Sequence, residues 1–478
     1  MRRRDLLTGG AGLAVAAVAA ADEPIKIRGY YFTFCRMPTF GLAEWKQIYD
    51  RIHSDGGNTV LLWVGGGFRS RKFPVTWQYN RDHKNIQADF VHALIDYGHS
   101  KGIKTLLGFT PFSYDGVNQY PIEHPELKAV QQNGKLAKLS GIHCWGYALN
   151  PSRPEAQKFM LDYIREMFFD FYPNADGLMI ESSDYAICFC SGCQGHYYER
   201  EFEFVRAISQ DVWNAKPGAT ILVYPHYFSG KSVPGFNVTA AKLPYDPRWA
   251  LFFTPHSAHL DADLLRQAKT TIYWDTSPAL RSPRQIQEGA QKALQNRMTG
   301  FVPTLEGFSF RVEHPEGGEQ FLLGKRLKPF GFDWLADGAQ PFDELPIRVN
   351  RIAYREFTRQ PDLDFTEFKR RLATDVFGAA DAPAVDDLLF LQEAFFADRS
   401  WFSASPMVSA ALFRGKLAQG ALTRTQIEAY RDRLPKIREI AQRYRGRPGE
   451  EGKLGYIASW IMSNWPEQDQ RYLSDHLR

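Results

Sequence analysis

Four of the five cysteines in this chain have the spacing of a metal site. Cys188, Cys190 and Cys193 form a C-x-C-x-x-C loop, and Cys144 lies upstream. Zinc takes thiolate ligands in a tetrahedral arrangement, and this spacing lets three sulfurs converge from one tight loop while a fourth closes the site. A site closed by four thiolates is structural rather than catalytic. The cysteines therefore predict a structural zinc ion, with a disulfide pair plus spare thiols as the alternative.

Two glutamates close apolar segments that have the character of buried strands. Glu181 follows residues 177–180, and Glu306 follows residues 301–305. Glycoside hydrolysis needs two carboxyl groups beside the glycosidic oxygen: one donates a proton, and the other attacks the anomeric carbon or activates water. Partly desolvated surroundings suit such an acid. We therefore predict Glu181 and Glu306 as the catalytic pair, with Asp275 as the reserve second carboxylate and a salt bridge to an arginine as the structural alternative.

Other polar and aromatic side chains follow the same segments or lie in the long stretch 111–151, which is too long for a plain strand-to-helix loop. Sugar sites combine aromatic platforms with a few polar groups, and aromatic residues make up 14% of this chain. The predicted substrate-binding residues are Trp145, Asp184, His226, Tyr227, His256, Trp274 and Asp275. Asp184 is a candidate for orienting the acid or binding a sugar hydroxyl. Its alternative role is to cap the start of the following loop or helix.

These residues need a scaffold that brings the ends of several strands together. Short apolar runs alternate with amphipathic helical patterns, which is typical of βα units around a parallel sheet. The predicted strands cover 25–32, 59–64, 105–110, 177–182, 221–227, 251–256, 270–275 and 300–307. Eight such units favour a (β/α)8 TIM barrel, whose active site lies at the C-terminal ends of the strands. A doubly wound open sheet is the alternative, but no Gly-x-Gly-x-x-Gly follows the first strand.

Helical patterns fall between those strands and dominate the rest of the chain. Between the strands they cover 43–53, 89–100, 154–171, 197–214 and 283–297. Beyond the last strand they cover 348–358, 365–377, 384–397 and 426–444. Pro154 after Ser152 is typical of a helix start, with the serine or a neighbour as cap. We therefore predict a catalytic barrel over residues 22–310 and a mainly helical C-terminal domain over residues 311–478.

Residues 1–21 have the pattern of an export signal. Arginines at positions 2–4 precede a Leu-Leu step and a weakly hydrophobic run rich in glycine and alanine, which ends before the charged Asp22. This pattern is typical of a twin-arginine signal peptide, which exports proteins already folded and would let zinc load in the cytoplasm. We therefore predict a periplasmic or secreted protein with no stable membrane insertion after cleavage. An uncleaved anchor is the alternative.

Composition and motifs argue against other partners and chemistries. The net charge of +4 comes partly from the N-terminal arginines, and the other charges alternate in sign, so a nucleic-acid partner has little support. None of the 12 histidines lies in an H-E-x-x-H motif, and Ser182 and Ser183 lack a Gly-x-Ser-x-Gly elbow. The lone Cys35 is more typical of packing than of a nucleophile. No organic cofactor is expected, and the sequence predicts no oligomeric state.

The segment 181–193, together with Cys144, resembles the zinc-containing β-galactosidases of glycoside hydrolase family 42. In that family an acid/base glutamate ends strand four just before a Cys-x-Cys-x-x-Cys loop. The resemblance implies Glu181 as the acid/base and the four cysteines as zinc ligands. Ile180 stands where that family usually has asparagine, and Glu306 falls on strand eight where the family's nucleophile ends strand seven. The motif therefore indicates a separate family of TIM-barrel glycoside hydrolases.

The sequence thus predicts an exported glycoside hydrolase that is stabilised by zinc and acts on a polysaccharide or its oligosaccharides. A non-catalytic carbohydrate-binding barrel is the alternative function. Such a protein would use aromatic side chains alone, and its affinity for sugar would survive replacement of Glu181 and Glu306.

Overall fold

The computed structural model describes residues 24–34, 40–81, 84–114, 116–139, 146–183, 186–233, 238–239, 241–253, 262–275, 282–305, 311–313, 319–321, 343, 345, 347–395 and 424–463. The predicted export signal lies outside these residues. So do the predicted site residues Cys144, Trp145, Asp184, His256 and Glu306. Within the described part, no helix is long and apolar enough to cross a membrane.

Eight parallel strands close into a barrel, which confirms the predicted fold class. The strands are β1 (Ile27–Thr33), β2 (Thr59–Trp63), β3 (Lys104–Phe109), β4 (Gly177–Ile180), β5 (Thr220–Val223), β6 (Trp249–Phe253), β7 (Thr271–Asp275) and β8 (Gly300–Leu305). They hydrogen-bond in chain order, and β8 closes on β1 with Ile27 opposite Gly300 and Tyr31 opposite Thr304. Parallel neighbours require a connection that returns the chain to the same end of the barrel, and helices supply most of them.

The helices alternate with the strands and then continue alone. They are α1 (Leu42–Ser54), α2 (Val91–Ser100), α3 (Pro154–Arg165), α4 (Tyr197–Ala215), α5 (Ala262–Gln267), α6 (Pro283–Gln295), α7 (Ile347–Arg359), α8 (Phe365–Phe377), α9 (Ala384–Phe395), α10 (Arg424–Arg443) and α11 (Gly449–Ser463). A π-helical segment, Glu166–Phe171, extends α3. Shorter helices cover Lys84–Gln87 and Tyr120–Glu123, and two-stranded hairpins pair Lys138–Leu139 with Gly146–Tyr147, Ser232–Val233 with Val238–Thr239, and Arg311–Glu313 with Glu319–Phe321.

One predicted strand ends earlier than expected. The apolar run 221–227 predicts a strand through Tyr227, but β5 stops at Val223 and a 3-10 turn covers Pro225–Phe228. Proline has no N–H to give to the ladder, so Pro225 cannot continue a strand between two neighbours. His226 and Tyr227 therefore lie on a turn at the mouth rather than in the strand.

Side chains of each strand alternate between the barrel lumen and the helix layer. The described lumen cluster consists of Tyr31, Leu61, Trp63, Leu106, Tyr114, Met179, Leu222, Ala250, Phe252, Ile272, Trp274 and Val302. The intervening residues, such as Phe32 and Ile180, pack in a separate, larger core under the helices. Because strand side chains alternate with a period of two, the lumen side of β4 continues from Met179 to Glu181.

Helix α7 joins the barrel although it comes long after β8 in the chain. The Tyr354 hydroxyl accepts a hydrogen bond from the Gly29 N–H (3.0 Å) and donates one to the Phe301 carbonyl. Arg351 forms an ion pair with Asp55 at 2.6 Å. One side chain thus contacts both β1 and β8, where the barrel closes.

Candidate active site

Glu181 lies at the C-terminal mouth of the barrel, directly after β4. Its backbone N–H donates to the Phe109 carbonyl (3.0 Å), so the residue continues the ladder between β3 and β4. Glu181 is only 4% exposed. The structure therefore puts the predicted acid, buried, on the face where barrel enzymes hold their chemistry.

A second buried glutamate, Glu201, holds the segment that follows Glu181. Its Oε1 accepts hydrogen bonds from the Ser182 hydroxyl (2.5 Å) and from the Tyr227 hydroxyl. Its Oε2 accepts a hydrogen bond from the Ser183 N–H (3.2 Å) and lies 2.7 Å from the Ser183 hydroxyl. Both carboxyl oxygens are thus occupied by donors of the protein, so Glu201 acts on the fold of this segment rather than on a ligand.

The ionisation of this network follows from its burial. Burial raises the pKa of Glu201, although hydrogen bonds from Ser182, Tyr227 and Ser183 act in the opposite direction. Burial also raises the pKa of Tyr197 and Tyr227 well above the ordinary value, so both side chains stay protonated and able to donate. The network therefore fixes Ser182 and Ser183, the two residues that follow the candidate acid.

The sequence analysis did not identify Glu201, but its position carried a signal. Along α4, Tyr197, Glu201, Val205 and Ile208 recur at helical spacing and are all buried. A carboxylate on the apolar face of a helix needs buried hydrogen-bond donors. Such a glutamate could have been predicted to meet polar groups of a neighbouring element, although not which ones.

His226 and Tyr227 occupy the turn after β5, and both are buried. The His226 ring packs against Tyr198 and Tyr224, with centroids 4.9 and 5.8 Å away. The Tyr227 hydroxyl donates to Glu201. The contact observed for Tyr227 is thus with the buried network, and substrate binding by either residue stays a prediction.

Aromatic rings line the lumen near the mouth. Trp274 of β7 stacks on Phe252 of β6, with ring centroids 4.9 Å apart, and meets Tyr31 of β1 edge-on at 5.8 Å. Its indole N–H donates to the Thr304 hydroxyl of β8. Trp274 is therefore a rigid part of the lumen wall, and substrate binding by this residue stays a prediction.

The second carboxylate of the predicted pair stays a prediction. Glu306 follows β8 directly in the chain but lies outside the described residues. Asp275, the reserve, is the last residue of β7, and its backbone is in register with Pro303 of β8. The Asp275 side chain is outside the described part of the molecule.

Three cysteines converge in the loop between β4 and α4. The Sγ atoms of Cys188, Cys190 and Cys193 lie within 4.8 Å of one another, and all three are free thiols. Sulfurs that bind one zinc ion at about 2.3 Å lie about 3.8 Å apart in a tetrahedron. These three side chains therefore fit a metal ion after a small contraction, while Cys144, the fourth predicted ligand, lies outside the described residues.

Polar groups around the sulfurs lower the pKa of one thiol and leave another protonated. The Val130 N–H lies 3.5 Å from Cys188 Sγ, and the Asn150 side-chain nitrogen lies 3.3 Å from Cys190 Sγ. Hydrogen bonds from the Cys193 thiol and from backbone N–H groups lower the pKa of Cys188 to about 6, despite its burial. The same interaction raises the pKa of Cys193. Because metal ligands must be deprotonated, the donors at Cys188 suit a thiolate ligand, whereas the Cys193 thiol, which donates to the Asn150 side-chain oxygen (3.1 Å), would have to lose its proton to a metal ion.

The residues before α3 link the start of this helix to the cysteines. The helix begins at Pro154 as predicted, but Arg153 occupies the N-cap position and makes no side-chain cap. Of the two alternatives in the prediction, the serine or a neighbour, the neighbour holds the N-cap position. The Ser152 hydroxyl lies 2.8 Å from the Asn150 side-chain oxygen and 3.4 Å from Cys190 Sγ, and is thus engaged at the sulfur cluster.

Comparison with known proteins finds similarity in fold but none in sequence family. No family model matches the chain, and no curated protein sequence matches it. A GH138 enzyme targeting pectin rhamnogalacturonan II is similar with a TM-score of 0.52 and 11% identity, over 92% of this chain and 55% of that chain. The chain therefore spans about half the length of that enzyme.

Two GH20 enzymes are also similar in structure. The exo-β-N-acetylglucosaminidase from Vibrio harveyi has a TM-score of 0.48 and 13% identity, over 76% of this chain and 58% of that chain. The β-N-acetylhexosaminidase from Streptomyces coelicolor A3(2) has a TM-score of 0.47 and 14% identity, over 73% of this chain and 68% of that chain. The closed eight-stranded barrel and the similarity to the GH138 enzyme show the TIM-barrel fold, and the resemblance to family 42 stays a prediction.

Proposed function

We propose that this protein is a glycoside hydrolase with Glu181 as its general acid. The observation that carries the proposal is a buried glutamate at the mouth of a closed (β/α)8 barrel, at the end of β4, beside a lumen lined with aromatic rings. The same fold in a GH138 enzyme that targets a pectic polysaccharide supports it. The substrate class is a polysaccharide or its oligosaccharides.

In the proposed reaction, the Glu181 carboxyl group gives its proton to the glycosidic oxygen as the bond from that oxygen to the anomeric carbon breaks. The second carboxylate, Glu306 with Asp275 as reserve, either attacks the anomeric carbon or takes a proton from the attacking water. A separation of about 5 to 5.5 Å between the two carboxyl groups implies retention, and about 6.5 to 9.5 Å implies inversion. The Glu201 network keeps the backbone after Glu181 in one position, which general acid catalysis requires.

The test is hydrolysis by the purified protein of a panel of aryl glycosides and polysaccharides, with reducing-sugar detection. On a substrate that is turned over, Glu181→Gln should lower kcat by about 10²-fold or more when the leaving group is poor, and by less on activated aryl glycosides. The matched control is Glu155→Gln, since Glu155 is exposed in the first turn of α3.

Full activity of Glu181→Gln on substrates with poor leaving groups contradicts the role of Glu181. Full activity of Glu306→Gln would indicate that Asp275, and not Glu306, is the second catalytic carboxylate. Sugar binding without turnover, unchanged in both variants, would instead support the non-catalytic carbohydrate-binding barrel.

We also propose that Cys188, Cys190 and Cys193, together with Cys144, hold a structural zinc ion. Bound there, zinc would crosslink the loop between β4 and α4, which connects the candidate acid to Glu201. The N-terminal pattern supports export by a twin-arginine route to the periplasm or the medium. Lysine at positions 2–4 in place of arginine should then trap the precursor in the cytoplasm.

A further inference from the structure

Three buried polar atoms at the barrel mouth have no hydrogen-bond partner among the described residues. They are the hydroxyls of Thr33 and Thr110 and the indole N–H of Trp63. Each of these residues is at most 1% exposed. Because nearly all buried polar groups in proteins are hydrogen-bonded, to protein or to ordered water, three such atoms together mark a place that water or a polar ligand occupies. These three residues are here called the polar arc.

The polar arc lies at the C-terminal ends of three adjacent strands, next to the strand that leads to Glu181. Thr33 and Trp63 end β1 and β2 and face each other in register. Trp63 is also in register with Gly108 of β3, two residues before Thr110. Trp63 belongs to the lumen cluster, and the period of two continues the lumen side of β1 to Thr33 and that of β3 to Thr110. The next strand, β4, leads to Glu181.

The loop after Thr110 forms a wall beside the polar arc. The Tyr114 ring packs on Trp63 with centroids 4.7 Å apart. The Ser113 hydroxyl is buried as well and likewise has no hydrogen-bond partner in the described part of the chain. This loop therefore offers an aromatic face and a further polar atom on the same side of the mouth.

The adjoining strands β7 and β8 use the same residue types but satisfy their polar groups internally. There the Trp274 indole N–H donates to the Thr304 hydroxyl, and both residues are buried. Tryptophan and threonine side chains at this mouth can therefore pair with each other. In the polar arc, by contrast, the tryptophan N–H and the two threonine hydroxyls have no hydrogen-bond partner among the described residues.

We propose that the polar arc is the subsite for the hydroxyl groups of the sugar whose glycosidic bond Glu181 protonates, an inference that rests on the proposed function. The Trp63 N–H can only donate, whereas the Thr33 and Thr110 hydroxyls can donate and accept, which suits ring hydroxyls. Neither the polar arc nor the adjoining Tyr31 and Tyr114 carries a positive charge. The described residues around the polar arc therefore favour a neutral sugar over a uronate, which would require a cationic partner when buried.

Two nearly isosteric variants test the subsite, Thr33→Val and Thr110→Val. Neither hydroxyl has a protein partner to lose, so the thermal midpoint should stay the same or rise. Each variant should lower kcat/KM about tenfold or more on the substrate found in the glycoside panel, because a hydrogen bond to the sugar is lost. The matched control is Thr304→Val, which should lower the thermal midpoint because it leaves the Trp274 N–H without its acceptor.

A binding assay separates this inference from the proposed function. Glucose, galactose, mannose, xylose and glucuronate are titrated by calorimetry into Glu181→Gln, with and without each valine change. Binding of a neutral sugar that the valine changes weaken supports the subsite even if no glycoside is hydrolysed. Hydrolysis with unchanged kcat/KM in both valine variants overturns the subsite and leaves the function standing.

Three further outcomes would contradict the subsite or the proposed class of sugar. No binding of any of the five sugars, or a lower thermal midpoint in both Thr33→Val and Thr110→Val, overturns the subsite. Tighter binding of glucuronate than of glucose overturns the neutral-sugar class.

Discussion

Glu181 and Glu201 are both buried glutamates beside the same backbone segment, but their surroundings differ. Glu201 accepts hydrogen bonds from Ser182, Ser183 and Tyr227, which occupy both of its oxygens. Glu181 follows an apolar strand and lies at the lumen mouth. Glu201 is therefore a positioning residue for the candidate acid, and its substitution should affect both folding and turnover.

Glu201→Gln keeps the volume of the side chain but replaces an accepting oxygen by a donating amide. We expect the free energy of unfolding to fall by about 1–3 kcal/mol, because at least one buried hydroxyl loses its acceptor. We also expect kcat to fall on substrates with poor leaving groups, with a smaller change on activated aryl glycosides. Urea denaturation and steady-state kinetics measure the two effects.

The control is Glu166→Gln. Glu166 is also buried and accepts hydrogen bonds from the Ser70 hydroxyl (2.5 Å) and the Arg71 N–H (2.8 Å), which belong to the connection after β2 and not to the segment after Glu181. This variant should lose stability yet keep its kcat and its dependence on the leaving group. An equal loss of kcat in both variants would show that Glu201 acts through stability alone.

The pH dependence gives a second readout of Glu201. Burial raises its pKa in the folded protein, so the native state holds this proton at pH values where the unfolded chain has released it. Stability from this group is therefore complete below the ordinary glutamate pKa of about 4.3 and declines as pH rises towards the folded value. The stability gap between wild type and Glu201→Gln should narrow as the pH rises above that ordinary value. A gap that widens would contradict the raised pKa.

At the scale of elements, the loop from β4 to α4 carries most of the candidate chemistry. It starts with Glu181, contains the three cysteines, and ends at the helix that supplies Glu201. The Phe189 N–H donates to the Val130 carbonyl (2.7 Å), which fixes the loop against the long connection after β3. A metal ion bound by the sulfurs would rigidify the loop that joins Glu181 to the helix carrying Glu201.

We expect about one zinc ion per purified chain, with Zn–S distances of about 2.3 Å in X-ray absorption. Removal of zinc by a chelator, or the change Cys190→Ser, should lower the thermal midpoint, because metal binding contributes to folding. Cys35→Ser is the control, since Cys35 is outside the predicted ligand set. A chain purified without metal, or a disulfide between two of the three cysteines in mass spectrometry, rules the zinc site out.

At the scale of the whole molecule, the barrel depends on a helix that the sequence analysis assigned to the C-terminal domain. Tyr354 of α7 bonds to Gly29 of β1 and Phe301 of β8, and Arg351 pairs with Asp55 after α1. These contacts lie where the barrel closes. The predicted boundary after residue 310 stays a prediction, and we propose that the barrel unit extends to Arg359.

A fragment of residues 22–310 lacks α7, so we expect no cooperative thermal transition by circular dichroism, whereas residues 22–478 should unfold cooperatively. In the full chain, Tyr354→Phe should lower the free energy of unfolding by about 1–3 kcal/mol, because the Phe301 carbonyl and the Gly29 N–H lose their partner. Tyr456→Phe is the control, since Tyr456 is 53% exposed. A cooperative transition in the fragment would place the boundary near residue 310 instead.

The sequence by itself determined the strands and most of the helices, because apolar periodicity of two or of 3.6 is a local property of the chain. Eight apolar runs were enough to predict the closed barrel, and with it the position of Glu181 at the strand-end face. Helices α5 and α11 were not predicted from the sequence. The first is short, and the second contains two internal glycines, which weaken a helical pattern.

Only the tertiary structure decided which polar groups meet. The Ser182 and Tyr227 hydroxyls reach Glu201 from positions 19 and 26 residues away in the chain, and the Ser152 hydroxyl meets Cys190 instead of capping α3. The polar arc could not be recognised from the sequence either. A hydrogen bond depends on distance and direction in space, and local periodicity specifies neither for residues on different elements.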